Sequence, residues 1–221
     1  MIAAPFTGVV IDTSTKLTSS EAKALYAAGV RTVGRYVFFG PPHVGDIDAA
    51  ELTMLIGAGL TVFLIQHVRN PGWVGSTQTG IDDSEAAIAN ARAAGYDDDN
   101  GDLCLALDLE GCKMGDPAHA AAWCTAVAAA GYRPLVYIGY ASGMVTPGMD
   151  ALAGDPRFWC DYAPISARPI PSRGYSLHQQ AQTTLAGVGV DRDTILDADG
   201  LVGLGPDVAA GTEGGSGGTG V

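Results

Sequence analysis

The chain is short of positive charge, with 12 Lys and Arg residues against 24 Asp and Glu residues and a formal net charge of -12 over 221 residues. A nucleic-acid backbone would repel such a surface, and no Lys/Arg cluster offsets the repulsion, so we predict no nucleic-acid partner. No apolar run approaches the ~20 residues of a membrane span, so none is predicted. The opening stretch MIAAPFTGVVID has neither a basic segment nor a long apolar one, so no signal peptide is visible.

Histidine is also scarce, with four residues in the whole chain. Only His67 and His178 fall near predicted strand ends, which leaves little for a Ser/His/Asp arrangement or a His-rich metal site. The acidic run DDDN (97–100) lacks the glycine and the terminal Glu spacing of a calcium loop, so we interpret it as a solvated turn. We therefore predict neither a metal nor a cofactor.

The cysteines lack the paired C-x-x-C spacing of a zinc site. Cys104 is predicted to be a buried thiol. Cys112 and Cys160 both fall near one end of the predicted barrel, which leaves a disulfide between them open. Four free thiols are the favoured state, the fourth being Cys124.

The stretch LCLALDLE (103–110) alternates strictly between two kinds of residue. Leucines occupy one parity, and the other parity carries Cys104, Ala106, Asp108 and Glu110. Because the side chains of a strand alternate between its faces, one face is apolar and the other ends in two carboxylates. A barrel strand has this character, with leucines beneath outer helices and functional groups at the carboxyl end of the strand.

The rest of the chain repeats a strand followed by a helix. Strands are predicted at 8–12, 31–37, 60–66, 103–110, 134–140, 157–163, 175–181 and 193–196, and helices at 13–29, 46–58, 82–94, 116–130 and 142–153. The first four helices end near glycines suited to a left-handed cap, namely Gly29, Gly59, Gly95 and Gly131. A doubly wound sheet would open with a glycine-rich phosphate turn, where this chain has DTSTK. We therefore predict an α/β fold, a single (β/α)8 TIM barrel.

The last part of the predicted barrel is less regular than the first. Residues 163–174 form a Pro-rich loop in place of a helix, so the later helices are predicted to be degraded. The barrel domain is predicted to cover residues 1–204. Residues 205–221 have the composition of a flexible Gly-rich tail or linker, one suited to joining the barrel to an assembly partner.

The predicted carboxyl ends of the strands carry acids, amides and aromatic residues, and we expect these to share one cleft. Carboxylates with hydrogen-bonding neighbours are what glycoside hydrolysis uses, since one acid protonates the leaving oxygen while a second acts as base, nucleophile or electrostatic brace. The catalytic candidates are Glu110, Asp108, Asp12 and Asp191. The substrate-binding candidates are Tyr36, Gln66, Tyr137, Trp159, Tyr162 and Gln179, with Tyr140, Asp161, Gln180 and Asp193 also near strand ends.

Two acids at positions i and i+2 of one strand repel each other, so one of their pKa values should rise. Glu110, the outer acid, is the candidate general acid, whereas Asp108 is expected to stay ionised. The alternative is structural, with Asp12, Asp108 and Glu110 capping helices or pairing with Arg35 and Arg69.

The assembled motifs resemble a group of glycoside-hydrolase-like barrels of unknown function from actinobacteria and phages, distantly similar to the family 25 muramidases. The resemblance spans about residues 6–200 and uses GVVIDTST, GRYV, ALDLEG, YIGY, FWCDYA, HQQA and VDRD. It implies that Asp12 is the first-strand acid, that Asp108 and Glu110 are the D-x-E pair with the Glu as proton donor, and that Asp191 is the terminal acid. The muramidase substrate is the β-1,4 bond between N-acetylmuramic acid and N-acetylglucosamine.

These observations favour a glycoside hydrolase that acts on bacterial cell-wall peptidoglycan and works outside the cell or on a virion. A second reading is a catalytically silent barrel that binds glycan or serves as a component of a phage particle or secretion assembly. A third, a phosphate-binding barrel enzyme, needs a basic or Gly-rich loop after the seventh or eighth strand, and AGVGVD (186–191) is only a weak match.

Overall fold

The computed structural model describes residues 1–97 and 102–207. In this part of the chain the strands are β1 (Ile2–Pro5), β2 (Val9–Thr13), β3 (Val30–Val37), β4 (Thr61–Gln66), β5 (Cys104–Asp108), β6 (Arg133–Ile138), β7 (Arg157–Cys160), β8 (Leu177–Gln179), β9 (Thr183–Leu185), β10 (Val188–Ile195) and β11 (Val202–Gly205). The α-helices are α1 (Ser19–Ala27), α2 (Ala49–Gly57), α3 (Thr77–Ala93), α4 (Asp116–Ala129) and α5 (Thr146–Asp150).

Eight strands close into a barrel in the order β2, β3, β4, β5, β6, β7, β8 and β10, with β10 returning to β2. The predicted barrel is thus confirmed. The first seven of these strands are parallel, but β10 runs antiparallel to both of its neighbours. The full TIM pattern of eight alternating strands and helices is not what the chain adopts.

The barrel departs from that pattern in its second half. Full helices follow β2 to β5, whereas β6 is followed by the five-residue α5 and β7 by one 3-10 turn, Ile165–Ala167. Between β8 and β10 the chain forms a hairpin, in which Ala186 (φ 52°) and Gly187 (φ 84°) make the two-residue turn. Two consecutive positive φ angles are typical of a tight hairpin turn, and this turn reverses the chain and makes β10 antiparallel. The AGVGVD segment therefore forms the hairpin turn and the first residues of β10, and it is not a phosphate loop.

Local sequence sets the helix ends. Thr18 and Glu21 form a capping box at α1, and Asp48 and Ser76 cap α2 and α3 with their side chains, so these two helices begin at residues 49 and 77 and not at the predicted 46 and 82. The four predicted glycines follow the first four helices with φ between 80° and 94°.

The alternation within LCLALDLE is confirmed by two separate apolar clusters. Leu103, Leu105, Leu107 and Leu109 pack in the layer between the strands and the helices. Cys104 and Ala106 pack instead in the barrel interior, with Phe63 and Trp159. The strand itself ends at Asp108, and Glu110 lies in the turn that follows. The acids therefore stand where the interior opens at the carboxyl ends of the strands.

The opposite end of the barrel is covered by β1 and β11, which pair with each other, and Leu204 of β11 pairs with Val62 near the start of β4. Gly205 is the last residue of β11. Residues 208–221 of the predicted tail and 98–100 of DDDN lie outside the described residues. All four cysteines are buried free thiols, and none of the described helices has the length and apolarity needed to cross a membrane.

Candidate active site

A cleft of about 370 Å³ opens at the carboxyl ends of the barrel strands. Several strands and strand ends contribute to its wall, so the closed barrel brings together parts of the chain that are far apart in sequence. The lining residues are Tyr36, Ile65, Asp108, Glu110, Tyr137, Trp159, Tyr162, Gln179, Gln180, Ala181, Gln182 and Asp191. Of the ten predicted site residues, all but Asp12 and Gln66 line this cleft.

Two backbone hydrogen bonds and the space at a neighbouring glycine set the position of Glu110. Its backbone N–H donates to Asp108 Oδ1 at 2.9 Å, and its carbonyl oxygen accepts a hydrogen bond from Trp73 Nε1 at 3.0 Å. Gly139, buried at the end of β6, has no side chain where a Cβ atom would come within 2.7 Å of Glu110 Cγ. The absence of a side chain at Gly139 therefore gives Glu110 its space. Sequence reasoning missed this residue, although the glycine of YIGY lies two positions after the cleft residue Tyr137.

Both acids of the D-x-E pair are perturbed. Burial, together with the negative charges of Glu110 and Asp12, raises the pKa of Asp108 to about 8. The hydrogen bond from the Glu110 backbone N–H opposes this shift. Burial also raises the pKa of Glu110, and the charges of Asp161 and Asp191 add to the shift. The expectation that Asp108 stays ionised is therefore wrong near neutral pH, because the deeper acid loses more of its contact with water.

Asp12 and Asp191 face each other across the antiparallel pair β2 and β10. Asp191 lines the cleft, and partial burial raises its pKa. Asp12 lies below the cleft and is only 1% exposed, and burial together with the charge of Asp191 raises its pKa to about 7. Asp12 Oδ1 accepts a hydrogen bond from the Tyr36 hydroxyl at 2.9 Å, while Oδ2 has no partner among the described residues.

The aromatic candidates form the floor and one rim of the cleft. Trp159 is buried, donates from Nε1 to Asp193 Oδ1 at 2.8 Å, and meets the Tyr137 ring edge-on at a centroid distance of 4.9 Å. Tyr137 donates its hydroxyl proton to Gln179 Oε1 at 2.7 Å. Tyr162, in contrast, is 68% exposed at the rim, so it is the aromatic ring most open to a ligand.

Gln66 does not line the cleft, and the expectation that it lies there with the other strand-end residues is wrong. The residue is 1% exposed, and its Oε1 accepts a hydrogen bond from Trp123 Nε1 of α4 at 2.6 Å. Phe63 and Ile65 of the same strand pack in the barrel interior, so the alternation of β4 turns Gln66 outward to the helical layer. The two-residue period of β4 could have predicted this.

Arg35 and Arg69 are the arginines that would pair with the cleft acids if those acids had only a structural role. Arg35 is buried and pairs with Glu51, with Nε 2.9 Å from Oε1. Arg69 pairs with Asp83, with Nε 2.9 Å from Oδ2. Neither arginine neutralises an acid of the cleft.

Other residues at the strand ends have separate roles. Asp161 is buried and forms an ion pair with Arg168, which ties the Pro-rich loop to the end of β7. Tyr140 lines a second, more apolar cavity of about 430 Å³ that meets the cleft at Glu110. Among the described residues, no group of three His, Cys, Asp or Glu side chains is arranged to hold a metal ion.

Fold and site together define a closed α/β barrel with a carboxylate-rich cleft at the carboxyl ends of its strands, the place where barrel enzymes bind their substrates. The chain belongs to the Rv2525c-like, glycoside hydrolase-like domain family, whose model matches residues 23–199. No curated protein matches the sequence significantly.

Solved structures of similar fold include a secreted mycobacterial protein and several muramidases. The Mycobacterium tuberculosis Tat-secreted protein Rv2525c, in complex with L-tartrate, superposes with a TM-score of 0.62 at 19% identity, over 86% of this chain and 96% of that one. A muramidase from Trichobolus zukalii gives 0.59 at 15% identity, over 89% and 94%. The bacterial lysozyme from Streptomyces coelicolor gives 0.54 at 13% identity, over 89% and 94%. At these identities the likeness shows the fold, in agreement with the predicted distant relation to the family 25 enzymes.

Proposed function

We propose that this protein is a glycoside hydrolase that cleaves the glycan of bacterial cell-wall peptidoglycan, with Glu110 as the general acid. The observation that carries the proposal is the pair Asp108 and Glu110, which share one cleft and both have raised pKa values. A carboxylic acid with a raised pKa holds its proton to a higher pH than a free carboxyl group does, and it can pass that proton to the oxygen of a leaving sugar. Membership of a glycoside hydrolase-like family supports the same reaction class.

The other acids have supporting roles. As the bond to the leaving oxygen breaks, positive charge develops at the anomeric carbon, and a nearby carboxylate stabilises it. Asp191 lines the cleft and is the acid we assign to this position, with Asp12 behind it and Asp108 beside Glu110. The group that attacks the anomeric carbon is either a carboxylate or the acetamide of the substrate itself, as the muramidase resemblance implies.

A catalytically silent glycan-binding module is the second candidate, and one observation favours it. With pKa values of about 7 and 8, Asp12 and Asp108 hold protons for much of the time at neutral pH, which leaves fewer charged carboxylates to stabilise a positive transition state. For either function the proposed place of action is outside the cell or on a virion, where peptidoglycan is accessible. The muramidases of similar fold and the secretion of Rv2525c support that placement.

The test is release of reducing ends from purified peptidoglycan by the wild-type protein and by Glu110→Gln. General acid catalysis supplies about 100-fold or more, so we expect the variant to lose at least that factor. Glu85→Gln, at an exposed position of α3, is the matched control and should retain full activity.

The outcomes separate the two candidates. Release by the wild type with loss in the Glu110 variant supports the hydrolase. Binding of peptidoglycan by both proteins without any release supports the binding module. Equal release by both proteins would remove Glu110 from the mechanism.

A further inference from the structure

The second cavity, of about 430 Å³, is formed by the loops that follow β4, β5 and β6. Glu110, the proposed general acid, lines both this cavity and the cleft. The two spaces therefore meet at the group that would donate the proton. A ligand bound at Glu110 can extend from it in two directions, into the cleft and into the second cavity.

The three loops around the second cavity are joined by backbone hydrogen bonds. The Gly72 N–H donates to the Gly111 carbonyl at 2.8 Å, and the Gly111 N–H donates to the Tyr140 carbonyl at 2.9 Å. Gly111 has a φ of 65°, and a Cβ atom there would come within 3.1 Å of Pro71 Cα, so the loops after β4 and β5 pack closely. The cavity is therefore built into the fold before any ligand binds.

The walls of the two cavities differ in chemistry. Besides Glu110, the cleft contains Asp108 and Asp191, whereas the described lining of the second cavity contains no further acid. The second cavity is mostly apolar, and the Tyr140 side chain on its wall is 69% exposed. An apolar pocket with an exposed aromatic ring and few polar groups suits the face of a sugar ring.

The second cavity also contains two cations, of which one is available to a ligand. Arg69 is paired with Asp83, with Nε 2.9 Å from Oδ2. The Cys112 thiol is engaged as well, since it donates to the Met114 carbonyl at 3.2 Å. Lys113 is exposed, and its ammonium group has no ion-pair partner in the described part of the chain. Lys113 is therefore the group that can bind a carboxylate of the ligand.

The Glu110 carboxyl group interacts with both sides. Burial raises its pKa, a hydrogen bond from the Tyr140 backbone opposes the shift, and the charges of Asp161 and Asp191 add to it. When Glu110 protonates a glycosidic oxygen, the bond from that oxygen to the anomeric carbon breaks, and the oxygen keeps the electron pair. The carboxylates that stabilise the anomeric carbon lie in the cleft, so the departing sugar lies on the other side of Glu110.

We propose that the second cavity binds the leaving part of the glycan, with a sugar ring against Tyr140 and a carboxylate of the glycan on Lys113. This inference rests on the proposed function, because it takes the bond that breaks to lie at Glu110. In a strand of alternating N-acetylglucosamine and N-acetylmuramic acid, the first leaving unit is uncharged and the second carries a carboxylate. The partner of Lys113 is therefore an N-acetylmuramic acid unit on the leaving side.

The test compares binding of two tetrasaccharides, one of alternating N-acetylglucosamine and N-acetylmuramic acid without peptides, the other of N-acetylglucosamine alone. Titration calorimetry with proteins that also carry Glu110→Gln keeps the ligands intact. We expect Tyr140→Ala to weaken the binding of both tetrasaccharides by about fivefold or more, because apolar contact with the ring is lost. Tyr140→Phe keeps the ring and is the matched control, which should bind both as the parent protein does.

The charge is tested separately. Lys113→Gln should weaken binding of the alternating tetrasaccharide by about fivefold and leave binding of the N-acetylglucosamine tetrasaccharide unchanged. Lys23→Gln removes the same charge from an exposed position of α1 and should change neither. An equal loss in the two lysine variants would indicate a general effect of charge and would overturn the inference.

The inference and the proposed reaction can fail separately. Unchanged binding in Tyr140→Ala and Lys113→Gln, while the wild-type protein cleaves peptidoglycan, would overturn the inference alone. No binding of either tetrasaccharide to the wild-type protein or to Glu110→Gln would overturn it as well. Binding that depends on both side chains, without any cleavage of peptidoglycan by the wild type, would support the cavity as a glycan site and contradict the proposed reaction alone.

Discussion

Two buried regions of this barrel carry negative charge in opposite ways. Under α2, Glu51 is paired with Arg35 and also accepts a hydrogen bond from the backbone of Leu17 at 2.8 Å. Arg35 in turn donates to the carbonyl oxygens of Thr13 and Gly45, so both charged groups of this cluster are satisfied. In the cleft, the buried acids are enclosed without a cation, and burial raises the pKa values of Asp12 and Asp108 to about 7 and 8.

The difference separates a structural use of charge from a functional one. The buried acid Glu51, with a cation and a backbone donor as partners, links α2 to β3 and to the segment before α1. A buried acid without such partners is unstable when ionised, and so it responds to protons and to ligands. Removing the negative charge should therefore have opposite effects on stability at the two places.

The largest effect is expected at the paired acid. Glu51→Gln leaves the buried guanidinium of Arg35 without its counter-charge, which should lower the free energy of unfolding by about 3–5 kcal/mol. Urea denaturation near neutral pH measures this loss. The exposed pair Lys16 and Asp48 is the control, and Lys16→Met should cost less than about 1 kcal/mol. If Glu51→Gln lowers the free energy of unfolding no more than Lys16→Met does, the buried pair of Arg35 and Glu51 does not stabilise the fold more than an exposed pair.

The unpaired acid should behave in the opposite way. The folded pKa of Asp12 lies above the ordinary 3.8, so the folded state holds the proton more tightly and wild-type stability is lost as pH rises through about 7. Asp12→Asn should match the wild type at a pH of about 3.5 and exceed its free energy of unfolding at a pH of about 8 by on the order of 2–4 kcal/mol. Denaturation curves at both pH values check this. A variant that is less stable than the wild type at the higher pH would show that the ionised acid is stabilised.

The smallest effect concerns the position of Glu110. A methyl group in Gly139→Ala would stand 2.7 Å from Glu110 Cγ and from Tyr137 Cε1, so both side chains must move. We expect kcat for peptidoglycan cleavage to fall about tenfold, as a small misplacement of a catalytic group does, with a melting temperature close to that of the wild type. The pH dependence of kcat should change with it.

Gly57→Ala in α2 is the matched control, because a Cβ atom there meets nothing within 4 Å. Equal kcat values for the two glycine variants would show that the space at Gly139 does not position the acid.

Much of the regular half of the barrel follows from local patterns. The leucines of LCLALDLE and the glycines after the first four helices each act within a few residues of chain, and each is where the sequence predicts it. The irregular half was less predictable. The reversal of β10 depends on a two-residue turn with positive φ at Ala186, a conformation that alanine seldom adopts and that composition does not reveal.

The same division applies to the site. Strand parity and position along the chain are enough to predict that Asp108, Glu110, Asp12 and Asp191 lie at one end of the barrel. For Gln66 the end of a strand was the wrong criterion, because the direction of the last side chain decides whether it faces the interior or the helices. The sequence did not indicate Gly139 because glycine has no functional side chain. Its role is to leave space for Glu110, and that role is visible only once the segment with Glu110 is seen to pack against it.

The sequence by itself determined that the chain forms a barrel with acids at the carboxyl ends of its strands, because hydrophobic alternation depends on neighbours along the chain. Only the tertiary structure decided which acids are ionised. A pKa depends on water and charge within a few ångströms, and for Asp12 and Asp108 those neighbours come from parts of the chain that are distant in sequence. In the closed barrel, the buried carboxylate of Glu51 is paired with Arg35, whereas other buried acids lie at the cleft without a cation.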